Sequence, residues 1–163
     1  MGLIRLYLHE GKLIIPTVCE TEAGFFVDQA PVKVTGIKDK EKLKQTIYKA
    51  LTTSNKRIPT PDAADEPGSI ILERLCIDTW TEFEKKATLY TVHLGCRYTT
   101  VHVTGKGNDG MWTNTEGSKR EFDRRAPADW VAQAIIEDIA RQNMPRVEPA
   151  KPMLLLPGPS DKS

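Results

Sequence analysis

The first fifteen residues alternate between apolar and polar side chains with the two-residue period of a β-strand. Apolar residues occupy every second position from Ile4 to Leu8 and again at Leu13 and Ile15, which is typical of strands with one buried face. Between the two runs, Glu10-Gly11 has the length and composition of a two-residue turn. The chain is therefore predicted to begin with a β-hairpin.

Further elements follow from capping and turn signals. A second strand pair is predicted around Phe25 to Val34, with Pro31 placing it at a sheet edge. Asp39 is expected to cap a helix that runs to about Thr53. Two short helices are predicted next, one capped by Ser69 and one opened by a capping box at Thr79–Glu82. A last helix begins near Pro127.

Residues 88–104 form the clearest predicted hairpin, with Gly95-Cys96 as a two-residue turn. In that register residue 94 lies opposite residue 97. One face then carries an apolar set, and the other carries hydrogen-bonding side chains: Thr91, His93, Tyr98, Thr100 and His102.

These elements predict an α+β fold, in which a mostly antiparallel sheet packs against three or four helices. Residues 1–143 are expected to form a single globular domain, since that length suits one hydrophobic core. Residues 144–163 contain five prolines and are expected to form a flexible tail. Within that tail, residues 152–157 place apolar side chains between prolines, as a segment that docks in a groove does.

Composition points to an ordinary globular protein, with 39% hydrophobic and 28% charged residues. No apolar run approaches the roughly 20 residues of a membrane span, and the first residues do not have the form of a signal peptide. The three cysteines, Cys19, Cys76 and Cys96, are widely spaced and are expected to be reduced thiols. These features predict a cytoplasmic location.

Charge is balanced over the chain, at +1, but is unevenly distributed. Residues 33–57 carry eight basic and two acidic side chains, and residues 62–84 carry seven acidic side chains and one arginine. Such segments either neutralise each other or are simply solvated, or they form a polarised surface that attracts a charged partner.

Two near-motifs do not meet the geometry that their chemistry requires. Gly105–Gly110 matches GxGxxG, yet no buried strand precedes it and no helix follows it, so a turn is predicted. His93, Cys96 and His102 lie within ten residues of one another. In the register above, His102 is about 13 Å from His93 along the sheet, too far for both to bind one zinc ion. No catalytic motif, metal site or cofactor site is predicted, and the chain is not expected to be an enzyme.

The remaining constellation is a surface for a macromolecular partner. Tyrosine, tryptophan, methionine and arginine are enriched at protein interfaces. The residues predicted to line this surface together are His93, Tyr98, His102, Trp112, Arg120, Arg124 and Arg125. For Trp112 a place in the core is an equal alternative, whereas Trp80 and Trp130 are expected in the core because both stand at helix starts.

The segment Ser69–Glu84 ends an apolar helix and opens another with Thr79-Trp80-x-x-Phe83. It resembles a pattern in immunity proteins of bacterial polymorphic toxin and contact-dependent growth inhibition systems. The resemblance implies a cytoplasmic, non-catalytic protein that binds a cognate toxin and neutralises it, with no membrane partner. The alternative is a regulatory or nucleic-acid-associated protein of a mobile element, suggested by the basic segment at 33–57.

Overall fold

The computed structural model describes residues 2–62, 68–113 and 118–142, and within them seven strands form one sheet and four helices pack on it. The predicted α+β class with a mostly antiparallel sheet and N-terminal hairpins is confirmed. In chain order the elements are β1 Gly2–His9, β2 Lys12–Thr21, β3 Phe26–Gly36, α1 Lys40–Leu51, β4 Lys56–Ile58, α2 Ser69–Leu75, α3 Trp80–Lys86, β5 Ala87–Leu94, β6 Tyr98–Val103, β7 Ser118–Asp123 and α4 Ala128–Gln142. The sheet order is β3-β2-β1-β5-β6-β7, with β4 beside β2.

The β1–β2 turn is the one that the sequence predicts. Glu10 and Gly11 both have positive φ, 46° and 75°, as the central residues of a type I′ turn require. His9 pairs with Lys12, and Leu8 pairs with Leu13. The turn therefore fixes the register that puts the apolar residues of β1 and β2 on one face.

That apolar face forms the first core, beneath α1 and α4. Its fully buried members include Leu6 and Leu13 from the sheet, Ile47 from α1 and Ile135 from α4. Asp39 caps α1 as predicted, since its carboxylate accepts a hydrogen bond from the Lys42 amide.

The opposite face of the sheet is also covered, at one end. The N-terminal strands were expected to have one buried face, and at this end both of their faces are buried. Tyr7 and His9 of β1 are 3% and 8% exposed. They lie beneath α2 and α3, whose Ile71 and Phe83 are completely buried. These side chains form a second core, so the sheet is the middle of three layers.

Strands β1 and β2 pair only near their turn and then separate. Their paired residues end at Tyr7 and Ile14, and beyond that point β4 pairs with β2 in parallel, at Cys19 to Thr21. The Asn55 side chain, just before β4, bridges the gap: it bonds to the Leu3 amide at 2.9 Å, the Leu3 carbonyl at 2.9 Å and the Val18 carbonyl at 2.8 Å.

Several boundaries differ from the predictions. Gly68, with φ of 80°, rather than Ser69, stands at the N-cap of α2. Strand β4 was not among the predicted elements, because its pairing depends on the gap between β1 and β2. Strand β7 was not predicted. The proposed tail, residues 144–163 with its apolar segment 152–157, lies outside the described residues. Among the described helices, none has the length and apolarity needed to cross a membrane.

Candidate functional site

The β5–β6 hairpin has a longer turn than predicted, and this changes which residues are neighbours. Leu94 pairs with Thr99 and His93 with Thr100, a shift of two residues from the predicted register. Because side chains alternate with a period of two, the shift leaves both predicted faces intact. The polar face therefore carries the side chains expected there.

The same shift overturns the predicted separation of the two histidines. His93 and His102 lie diagonally across β5 and β6, with ring centroids 5.8 Å apart and planes at 85°. The 13 Å estimate was wrong because it assumed a two-residue turn. In the described part of the chain, no group of three or more His, Cys, Asp or Glu residues is arranged to hold a metal ion.

Strand β7 extends this face to the edge of the sheet. Thr100 pairs with Glu121 and His102 pairs with Lys119, so a carboxylate and an ammonium, 3.4 Å apart, stand beside the histidine pair. We call the face formed by these strands the polar half-sheet. Its members are Thr91, His93, Tyr98, Thr100, His102, Lys119 and Glu121.

Arg5 of β1 closes the inner side of the polar half-sheet. It lies opposite Thr91, and its guanidinium binds the Asp28 carboxylate at 2.7 Å. Tyr7 donates to the other oxygen of Asp28 at 2.8 Å. Burial, followed by the proximity of His102 and Arg5, lowers the pKa of His93. His93 is therefore biased towards the neutral state.

The end of the polar half-sheet carries an exposed aromatic ring among arginines. Tyr98 is 51% exposed and stands next to Arg97. The Arg124 amide donates to the Arg97 carbonyl at 2.9 Å, and the Arg124 guanidinium donates to the Gly95 carbonyl. Arg125 bonds to Asp123 at 3.2 Å. The backbone therefore places Arg97, Arg124 and Arg125 at the same end of the hairpin as Tyr98, with Asp123 opposite Tyr98.

Arg120 does not belong to this surface, contrary to the prediction. It pairs with Val101, whose side chain points into the first core, so Arg120 lies on the opposite face of the sheet. Its guanidinium carbon is 5.4 Å from the centre of the Phe122 ring. The prediction failed because β7 was not predicted. In a strand, neighbouring side chains point to opposite faces, and this places Arg120 on the other face from Lys119 and Glu121.

Trp112 is also separated from the polar half-sheet. Its indole N–H donates to the Ala87 carbonyl at 3.1 Å, and its amide donates to Glu84 at 2.6 Å. Its ring packs 5.7 Å from Trp80 and 6.0 Å from Tyr7. Of the two alternatives for Trp112, the structure places it against the second core.

The GxGxxG segment forms a turn, as predicted. This turn places Trp112 against the second core. The Gly107 amide donates to the Met111 carbonyl at 2.8 Å, and Lys106 pairs with Trp112. The Lys106 ammonium bonds to the carbonyls of Glu84 and Lys85 at 2.9 and 3.0 Å. The lysine thereby caps the C-terminal end of α3.

Sequence reasoning missed several residues of this region. Arg5, Lys119 and Glu121 were not singled out, and residues 118–123 gave no strand signal because five of the six are polar and do not alternate with apolar residues. Trp130 was expected in the core but is 64% exposed. It stands in the first turn of α4, where the core-facing positions are Val131 and Ala134.

Comparison with known proteins identifies a fold but no family. No protein-family model and no curated protein sequence matches the chain. Its structure is similar to that of NMB0488 from Neisseria meningitidis, a protein of unknown function, with a TM-score of 0.58 and 13% sequence identity. The similarity covers 86% of this chain and 94% of the other. At that identity, the comparison shows a shared fold alone.

Proposed function

We propose that this chain is a non-catalytic binding protein of the immunity type, which neutralises a bacterial toxin domain by docking on it through the polar half-sheet. The observation that carries the proposal is the position of Tyr98: a half-exposed aromatic ring on a sheet strand, at the end of the hairpin where Arg97 and Arg124 are joined by a backbone hydrogen bond. Aromatic and arginine side chains supply most of the binding energy in protein interfaces.

Rigidity of the surface supports a docking role. The residues between its members point into the first core, where Tyr90 and Val92 are fully buried and Val101 is 6% exposed. Strands anchored in this way hold their outward side chains in fixed directions. A preorganised surface loses little conformational entropy when a partner binds.

The charges indicate the chemistry of the partner. The Tyr98 end carries Arg97, Arg124 and Arg125 against one carboxylate, that of Asp123, which binds Arg125, while the Lys119–Glu121 pair at the sheet edge carries no net charge. The partner surface should therefore place carboxylates around a pocket that receives Tyr98. Such complementarity accelerates encounter and excludes positively charged surfaces.

The class of partner is inferred from the resemblance at Ser69–Glu84. Within this fold that segment supports the sheet, since the Thr79 hydroxyl accepts a hydrogen bond from the Glu82 amide and Phe83 is completely buried. We therefore assign toxin recognition to the polar half-sheet, and we assign the resembling segment to the second core, which covers the other end of the same sheet face.

The test uses the protein domain encoded beside this gene. We expect the purified chain to bind that domain and to protect cells that express it. Tyr98→Ala should weaken binding by about tenfold or more. Tyr48→Ala, a matched change at a ring that is 43% exposed on α1, should leave affinity unchanged. Absence of binding and protection, or equal effects of the two changes, would refute the proposal.

A further inference from the structure

A cleft at the other side of the sheet is separate from the polar half-sheet. It lies between the C-terminal half of α1 and the irregular part of β2 and β3, and its volume is about 200 Å³. The irregularity falls between Ile15 and Thr17 of β2, where Pro16 interrupts the strand. Pro31 of β3 lies on the same cleft wall.

The cleft is a consequence of the divided sheet. Because β1 leaves β2 after Ile14, the Asn55 side chain and, further on, β4 fill the space between them. Thr17 donates to the Pro31 carbonyl at 2.8 Å, which fastens β3 beside the irregular part of β2. The walls are thus held by defined hydrogen bonds.

Apolar side chains line most of the cleft. The floor and walls include Leu3, Ile4, Ile15, Val18 and Ala50. Of these, Leu3, Ile4, Ile15 and Val18 are 5–6% exposed and belong to the packed sheet. This lining suits the carbon skeleton of a ligand, and the volume lies below the roughly 300 Å³ at which pockets for larger organic molecules begin.

Two lysines line the same cleft from opposite elements. Lys33 comes from β3 and Lys49 from α1. Burial, and then the adjacent Lys49 ammonium, lowers the pKa of Lys33. The ion pairs found in the described part of the chain include neither lysine. The two ammonium groups are close enough for a side-chain contact, and like charges held this close are stabilised by an anion that contacts both of them.

We propose that this cleft binds a small organic anion, with its carboxylate or phosphate group against both Lys33 and Lys49 and its apolar part against Ile15, Val18 and Ala50. The ligand is about the size of a single substituted ring. Charge recognition comes from the two ammonium groups, and shape selection comes from the apolar walls.

The experiment titrates the full chain with four probes while the backbone amide NMR shifts are followed. Benzoate and phenyl phosphate carry both features of the ligand and differ in the anionic group. Inorganic phosphate carries only the charge, and benzyl alcohol only the ring. We expect saturable binding of benzoate or phenyl phosphate at millimolar concentrations or below, with shifts centred on residues 15–18 and 49–55. The stronger of the two identifies the anionic group.

Substitutions assign the two halves of the site. Lys33→Gln and Lys49→Gln should each weaken binding of the stronger probe by about tenfold, whereas Lys44→Gln, on α1 but outside the cleft, should not. Ala50→Leu should abolish binding by filling the cleft while both charges remain, with the thermal midpoint as a check on folding.

Three results would overturn the proposal. One is the absence of saturable binding by benzoate and by phenyl phosphate. Another is inorganic phosphate binding as tightly as phenyl phosphate, which means an adventitious ion only. The third is an equal effect of Lys49→Gln and Lys44→Gln. None of them bears on toxin binding, which depends on Tyr98.

Discussion

The Asn55 side chain is joined to the backbone of Leu3 by two hydrogen bonds, one to its amide and one to its carbonyl, both 2.9 Å long. A carboxamide thus pairs with β1 as a neighbouring strand would. A third bond, to the Val18 carbonyl, connects β1 to β2 where the two strands no longer pair. One side chain therefore completes the sheet at its division.

We expect Asn55→Ala to lower the free energy of unfolding by about 2–4 kcal/mol, because it leaves three backbone groups near Leu3 and Val18 without partners. Urea denaturation monitored by circular dichroism measures the change. Asn108→Ala, in the exposed Gly107–Gly110 turn, is the matched control and should stay within about 0.5 kcal/mol of wild type. A similar small loss for both variants would contradict the bridging role.

Tyr90 connects β5 to α4 through the first core. Its ring is fully buried, and its hydroxyl donates to Asp138 at 2.7 Å and accepts from Gln142 at 2.8 Å. Tyr90→Phe keeps the ring and removes only these bonds, so we expect a loss of about 1–2 kcal/mol in unfolding free energy. Tyr48→Phe, at an exposed ring on α1, should have no measurable effect in the same denaturation assay.

Asp138 is expected to make the stability of the fold depend on pH in the acidic range. Burial alone would raise its pKa, but hydrogen bonds from Arg141, Tyr90 and Gln142 outweigh burial and hold the pKa below its ordinary value. A carboxylate of this kind adds stability above its unfolded pKa of about 3.9 and loses it as the pH falls through the folded pKa. Asp138→Asn should therefore flatten the wild-type loss of stability below about pH 4. An unchanged acid limb would contradict this assignment.

His9 is expected to make the stability of the fold depend on pH as well, but in a higher range. Burial lowers its pKa, as do Lys86, Lys12 and Lys106, while Glu10 opposes them. Because the unfolded chain then binds the proton more readily, stability falls as the pH drops below about 6.5 and recovers as it rises. His9→Gln should reduce this slope between neutral and mildly acidic pH without abolishing it, since the pKa of His93 is lowered too. Thermal midpoints across that range measure the slope.

Local patterns predicted the fold class because hairpins, caps and strand faces depend on near neighbours. Glu10-Gly11 and Asp39 illustrate this, since each determines a turn or a helix start through residues within three positions. The division of the sheet depends on Asn55 contacting Leu3 and Val18, at sequence separations of 52 and 37. No local pattern contains that information, so β4 and the cleft were not predicted.

The members of the polar half-sheet on β5 and β6 were predicted, but their arrangement and the members on β7 were not. An error of two residues in the β5–β6 register leaves each side chain on its correct face, so the polar set survived. The same error misplaced His102 relative to His93, because distances along a strand change by about 3.3 Å per residue. Arg120 was assigned to the wrong face because β7, the strand that orients it, was missing from the prediction.

Trp112 and Tyr98 are expected to have different roles. Trp112 packs against the second core, whereas Tyr98 lies on the polar half-sheet. Trp112 bonds to Ala87 and packs on Tyr7 and Trp80, so Trp112→Ala should lower the free energy of unfolding by about 3 kcal/mol. Tyr98 is half exposed, and Tyr98→Ala should change stability by no more than about 0.5 kcal/mol.

Denaturation of both variants, measured together with their affinity for the neighbouring gene product, distinguishes the two roles. Under the proposed function, Tyr98→Ala loses affinity at full stability, whereas Trp112→Ala loses stability and retains affinity wherever it is folded. The reverse pattern would move the docking surface from the polar half-sheet to the turn that carries Trp112.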